Sequence, residues 1–138
     1  MSANVKIQTR ERNGRTYASS GSKWEPLVGY SRAVRTGNMI AVTGTVGIGP
    51  DGKFPEGAAA QTRRALEIIL AAIKALGGQP TDVIRTRMFV TDISRWEEIG
   101  KVHGEIFGEI RPATTMLEVA KLIDDAALIE IEADAVVV

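Results

Sequence analysis

The sequence predicts a single α+β domain, with a mixed sheet of about six strands and two helices packed on one face. Three observations predict it. Seven short segments carry the alternation or turn-bounded composition of strands. Two longer segments carry the helical period. The order is several strands, helix, strand, helix, two strands, which suits helices layered on one sheet. The 138 residues are one domain's worth, and a chain this long needs no metal or disulfide to hold its core.

Each element has its own signal. Residues 5–9 and 15–19 read as strands, with Asn13-Gly14 as the hairpin turn between them. Residues 21–29 read as a loop punctuated by Gly21, Pro26 and Gly29. Residues 30–35 and 39–46 are strands joined at Gly37-Asn38, and Pro50-Asp51-Gly52 is a turn. Thr62, Leu66, Ile69, Leu70, Ile73 and Leu76 recur at helical spacing, so residues 58–76 form a helix. Gly77-Gly78 ends it and Pro80 forbids its continuation. Residues 83–91 form a strand. Ser94 and Glu97 read as a capping box opening a second helix, with Trp96, Ile99, Val102/His103 and Ile106 as its inner stripe and Gly108 as its end. Residues 114–119 and 128–137 are the last two strands.

Alternation then assigns faces. Ile84, Met88 and Val90 belong under the helices, as do Ile129, Ile131, Ala133 and Ala135. The opposite face is expected to carry Arg85 and Arg87 together with the carboxylates Glu118, Glu130, Glu132 and Asp134.

Composition excludes several classes. There are 17 basic and 17 acidic residues, 44% hydrophobic residues, no cysteine and one histidine, His103. A disordered chain, a disulfide scaffold, a Cys-type metal site and a thiol nucleophile are therefore excluded. A single histidine also excludes multi-histidine metal sites. The N-terminus lacks the apolar stretch of a secretory signal, and no apolar run approaches membrane-spanning length, so a cytoplasmic protein is expected. The zero net charge hides an asymmetry. Residues 1–35 carry seven basic and two acidic groups, and residues 96–138 carry three basic and ten acidic groups. The two ends are expected to neutralise each other within or between subunits. A nucleic-acid partner is disfavoured, because the basic residues are dispersed and the protein is net neutral.

The C-terminal third carries recognisable motifs. Arg111-Pro-Ala-Thr-Thr-Met-Leu-Glu-Val-Ala-Lys-Leu122 is followed by Ile129-Glu-Ile-Glu-Ala133. Upstream, in order, stand Gly29-Tyr30-Ser31, Gly37-Asn38-Met39-Ile40, Thr43-Gly44, Gln61-Thr62, Asp82-Val-Ile-Arg-Thr86 and Phe89-Val-Thr-Asp92. This ordered set resembles the Rid family, the reactive intermediate deaminases also called YjgF-type or L-PSP endoribonuclease-type proteins. The resemblance spans about residues 29–137, leaving residues 1–28 as an N-terminal extension or extra strands. It implies a chorismate-mutase-like fold and a homotrimer with small-molecule clefts between subunits. It further implies hydrolysis of imines and enamines to a carbonyl product and ammonia, without metal or cofactor.

The resemblance also implies site residues. Glu130 matches the glutamate that holds the attacking water. Tyr30 matches a cleft-lining tyrosine, and Met116 stands where a backbone carbonyl helps hold that water. The position of the family's carboxylate-binding arginine is Thr114. One neutral hydroxyl in place of a charged fork forfeits about 1.5–3 kcal/mol for a carboxylate. The chain thus resembles a divergent subgroup.

Each candidate has a structural alternative. Glu130, Glu132 and Asp134 can pair with arginines across the sheet face. Arg85 and Arg87 share one face, where either could bind an anionic substrate or neutralise those carboxylates. Thr114 suits a ligand or plain β-propensity, and Tyr30 the cleft or packing. His103 reads as a half-buried packing residue. Trp24 reads as a cleft cover or a surface anchor, and Gly47-Ile-Gly49 is too short for a phosphate loop. The leading expectation is a hydrolase of small C=N compounds using Glu130, with Thr114 and Arg87 contacting substrate. The alternatives are a trimeric small-molecule binding or sensing protein and, less favoured, an endoribonuclease or translation inhibitor.

Overall fold

The structure is a computed structural model that describes residues 4–138. Residues 1–3 of the N-terminal extension lie outside the described residues.

Seven strands form one sheet in the order β1-β2-β3-β4-β7-β5-β6. They are β1 (Gln8–Arg12), β2 (Arg15–Ser19), β3 (Ala33–Thr36), β4 (Met39–Val46), β5 (Val83–Val90), β6 (Ala113–Glu118) and β7 (Ile129–Val136). Two helices, α1 (Ala58–Ala75) and α2 (Trp96–Phe107), pack on one face. The expected α+β layering holds, with one strand more than the six expected. All neighbouring strands are antiparallel except β5 and β6, which the α2 crossover makes parallel. The β1–β2 hairpin turns on Asn13 and Gly14, both at positive φ, as a two-residue hairpin turn requires.

α1 ends as its sequence dictates. Gly77 takes φ +87°, the Gly78 N–H reaches Ile73 O at 2.9 Å, and the Gly77 N–H reaches Lys74 O at 3.0 Å. This is a Schellman closure, and Arg35 Nη1 donates to the leftover Leu76 carbonyl at 2.7 Å. The core joins Ile40, Val42, Met88, Val90, Ile129 and Ile131 of the strands to Leu66, Ile69 and Ile73 of α1, all buried.

Five sequence expectations need correction. β1 runs Gln8–Arg12 rather than over residues 5–9, so that Arg12 meets Arg15 across the Asn13-Gly14 turn. Ile84 is 49% exposed rather than under the helices, because a bulge between Val83 and Arg85 shifts the alternation and buries Val83 instead. Glu118 does not join the charged face. The parallel register pairs Thr114, Met116 and Glu118 with Thr86, Met88 and Val90, so all three take the helix side of β6. The Ser94/Glu97 capping box does not form. Asp92 instead accepts the Ser94 N–H at 3.0 Å and its hydroxyl at 2.6 Å, opening a short 3₁₀ turn ahead of α2. Trp96 then falls outside the inner stripe and is 57% exposed, whereas Ile99, Val102 and Phe107 are buried.

The charged face itself is as expected. β7 alternates buried Ile129, Ile131, Ala133 and Ala135 with half-buried Glu130, Glu132 and Asp134. No helix among the described residues is long and apolar enough to cross a membrane.

Candidate functional site

A cavity of about 840 Å³ opens where β4 ends and β7 begins; its wall includes Trp24, Tyr30, Arg32, Gly44, Ile123 and Glu130. Three local features place Glu130 there. First, β7 pairs Glu130 with Val46 on one side and Phe89 on the other, so its side chain leaves the helix layer. Second, β4 is irregular between Val42 and Thr45, which brings Gly44 against Glu130; a Cβ at position 44 would collide with Glu130 Oε2. Third, buried Gln61 of α1 fixes the approach to β7. Its amide nitrogen donates to Pro55 O at 3.1 Å and Ala126 O at 3.0 Å, and its oxygen accepts the Leu128 N–H at 2.8 Å.

Burial pushes the Glu130 carboxyl above its ordinary value of 4.5; Arg32 pulls it back, and Glu132 adds to the push. Arg32 and Glu25 are themselves buried, at 5% and 6% exposure. They form an ion pair at 3.6 Å beneath the cavity. The Tyr30 ring lies 5.6 Å from the Arg32 guanidinium carbon. A carboxyl of raised basicity beside a walled cavity can accept and return a proton, the requirement for activating a water.

Apart from Tyr30 and Trp24, the remaining sequence candidates fall elsewhere. Arg87 pairs with Glu132 at 3.3 Å and Asp134 at 3.5 Å, and Arg85 with Asp134 at 3.9 Å. Both arginines thus neutralise β7 carboxylates on the open sheet face. Arg87 also lines a second, shallower cavity of about 540 Å³, and Tyr30 lines both. Thr114 is not brought to Glu130 within one chain: the two side chains leave opposite faces of the sheet, with β5 between their strands. Thr114 Oγ1 instead lies 2.8 Å from Thr86 Oγ1 and donates to Pro112 O at 3.1 Å. Thr86 in turn lies 2.9 Å from His103 Nε2. His103 is half-buried, stacks near Phe107 at 4.7 Å and is held below its ordinary 6.5 by burial. Met116 is half-buried against the core. Trp24 lines the Glu130 cavity.

Sequence reasoning missed Glu25, Arg32 and Gln61 as parts of the site. Gln61 had a signal, an amide placed among the apolar residues of an inner helical stripe. Glu25 and Arg32 had none, because a π-helical turn over Glu25–Gly29 brings them together. No group of three or more His, Asp or Glu among the described residues is arranged to hold a metal.

Comparison with known proteins agrees with this architecture. A Mycobacterium tuberculosis protein of the YjgF/YER057c/UK114 family shares the fold with a TM-score of 0.83 and 54% identity, over 89% of this chain and 99% of that one. An Escherichia coli 2-iminobutanoate/2-iminopropanoate deaminase is 35% identical over 111 residues, 78% of this chain and 86% of that protein. A Streptomyces coelicolor protein is 36% identical over 117 residues, 84% of this chain and 87% of its own length. The Endoribonuclease L-PSP family model matches residues 20–137, a span that takes in Glu25 and Arg32 as well as Glu130. The chain therefore belongs to the Endoribonuclease L-PSP family, the Rid or YjgF group whose motifs its sequence carries.

Proposed function

We propose that this protein is a Rid-type hydrolase of small imine or enamine compounds, working as a homotrimer whose sites lie between subunits. The observation that carries it is the Glu130 carboxyl, raised by burial and set against Gly44 in an 840 Å³ cavity. The deaminase activity of the Escherichia coli relative supports the reaction class.

The chemistry asks little of the protein, because a C=N carbon is already electrophilic. Glu130 as carboxylate takes a proton from water while the oxygen adds to that carbon. The proton then passes to the nitrogen, giving a carbinolamine; as the C–N bond breaks, Glu130 relays the hydroxyl proton to the nitrogen, and ammonia leaves with the carbonyl product. Tyr30 lines the space and limits where the carbon can sit. A second subunit would complete the wall beyond Glu130.

Imine released by an amino-acid oxidase provides the test. The purified protein is expected to speed its decay, and Glu130→Gln to lose about 10²-fold or more of that rate. The acid limb of the pH–rate profile should lie above the ordinary carboxylate value of 4.5, since burial raises Glu130. Light scattering should give three times the chain mass. A second reading, a binding protein without turnover, draws on Thr114, whose hydroxyl is already engaged by Thr86 and Pro112. It predicts a bound carbonyl product with no acceleration of imine decay across several imines.

A further inference from the structure

Arg32 is a cation more than nine-tenths buried in the wall of the Glu130 cavity. Its five N–H donors can be followed one by one. Nε donates to Ser20 Oγ at 3.1 Å. Nη1 donates to Gly44 O at 2.9 Å and to Thr45 Oγ1 at 3.2 Å. The two donors on Nη2 have Glu25 Oε2 nearby, but at 3.6 Å, too far for a hydrogen bond. Among the described residues no sealed side-chain nitrogen or oxygen lacks a partner. Nη2 is therefore not sealed, and Arg32 is part of the cavity wall. The Tyr30 ring over the guanidinium fixes its plane.

The charge of this fork is cancelled where it stands. Glu25 Oε2 accepts from Ser20 N at 3.1 Å, Ser20 Oγ at 2.8 Å and Ser22 N at 3.3 Å, which keeps the carboxylate beside the guanidinium. Arg32 and Glu25 sum to zero, and ionised Glu130 makes the cluster net negative. Of the cavity's other charges, Lys6 and Lys23 are exposed and screened, Asp124 accepts the Ala126 N–H, and Arg64 is tied to Glu67 and the Ile48 carbonyl. A carboxylate brought to Nη2 would sit between two carboxylates. A neutral oxygen would meet the same two donors without that repulsion.

We propose that Arg32 Nη2 anchors the substrate in this cavity and takes a neutral acceptor, a carbonyl or carboxamide oxygen adjacent to the reacting carbon, in preference to a carboxylate. The proposal rests on reading the cavity as the imine-hydrolysing site, and it names the substrate class: uncharged C=N compounds with a neighbouring carbonyl or carboxamide.

Matched product probes test it without turnover. 2-Oxobutanamide and 2-oxobutanoate differ only in the amide-for-acid exchange, and calorimetry gives their affinities. The native protein is expected to bind the amide at least about tenfold more tightly. Glu25→Gln keeps an oxygen for Ser20 and Ser22 but leaves Arg32 a net cation, so the preference should shift towards the acid by about tenfold or more. The double variant Glu25→Gln/Arg32→Gln removes the fork and leaves Glu130 as the remaining charge of the cluster, so it should bind the amide about tenfold or more weakly than the native protein does. Equal or tighter binding of the acid by the native protein overturns the proposal, as does failure of both probes to bind. So does amide affinity that survives undiminished in the double variant, or a preference that Glu25→Gln leaves unmoved while its NMR spectrum stays native. If Glu25→Gln does not fold, the native protein and the double variant decide. The two readings fail separately. An amide preference without imine hydrolysis overturns the hydrolase reading alone. Hydrolysis of carboxylated imines with kcat/KM as high as that of carboxamide imines overturns the anchoring role alone.

Discussion

The Glu25–Arg32–Glu130 cluster and the His103–Thr86–Thr114 chain both place polar groups beside the sheet, but they are satisfied to different degrees. In the second, every group has a partner and the bonds can run only one way. Pro112 O only accepts, so Thr114 donates to it, Thr86 donates to Thr114, and His103 Nε2 donates to Thr86. That chain joins α2 to the edge strand and is electrically neutral. In the first cluster, two buried charges cancel, a third carboxyl is desolvated, and Arg32 Nη2, in the wall of a cavity, makes no hydrogen bond to its ion-pair partner. A closed network holds structure together, whereas a charged cluster with unfilled donors is prepared for a ligand.

Three substitutions sharpen or break that contrast. The largest effect is expected at Gly44. In Gly44→Ala the new Cβ meets Glu130 Oε2, so either β4 or the carboxyl must move. Overpacking of this kind costs about 1–3 kcal/mol. Displacing the carboxyl should lower kcat/KM for imine hydrolysis by about 10²-fold. Native activity in Gly44→Ala would show that this contact does not set Glu130 and would remove half of the contrast.

His103→Leu comes next. Thr86 is fully buried and would lose its donor, at a cost of about 1–3 kcal/mol read from chemical denaturation. Imine turnover should stay within a few-fold of native, because the chain does not reach the cavity. The pH dependence has a definite sign. Burial holds folded His103 below 6.5, so its contribution to stability is complete above 6.5 and is lost as pH falls through that value towards the folded one. His103→Leu should lack this loss. Glu130, raised by burial, acts in the opposite sense, so the difference between native and variant curves isolates the histidine. A large loss of turnover in His103→Leu would tie the two clusters together.

The smallest effect belongs to Arg87→Met. Arg87 and its partners are half-buried but still reached by solvent, so the change should cost about 0–1 kcal/mol and less in high salt. A cost well above that range, measured on the intact assembly, would mean that the open sheet face is desolvated by another subunit.

Much of this was legible in the sequence, and the gaps have physical causes. The α1 stripe, its Gly77 closure and the alternation of β7 are local patterns, and each appears where the residues put it. Glu130 was found by motif and by face together. Alternation failed where a strand is irregular. The bulge after Val83 exposes Ile84, and the irregularity after Val42 creates the Gly44 contact that no spacing announces. Alternation also cannot say which way a strand faces until its neighbour is known. The parallel pairing of β6 decided that Thr114 and Glu118 turn towards the helices. Arg32 escaped for a related reason. Its partners Ser20, Glu25, Gly44 and Thr45 come from three different segments, and a basic residue among six others in the first 35 carries no mark of burial.

The sheet order has a further consequence for how this molecule comes into being. β7, the last strand to leave the ribosome, lies in the middle of the sheet, hydrogen-bonded to β4 on one side and β5 on the other. Until it arrives, β4 and β5 each present an unpaired edge, and α1 has half a floor to pack on. Such long-range closure is slow and leaves nascent edges open to wrong pairings. The sheet therefore cannot close until β7 has left the ribosome. The same insertion delivers Glu130 to its cavity, so no partly made chain can possess the carboxyl before it possesses the fold.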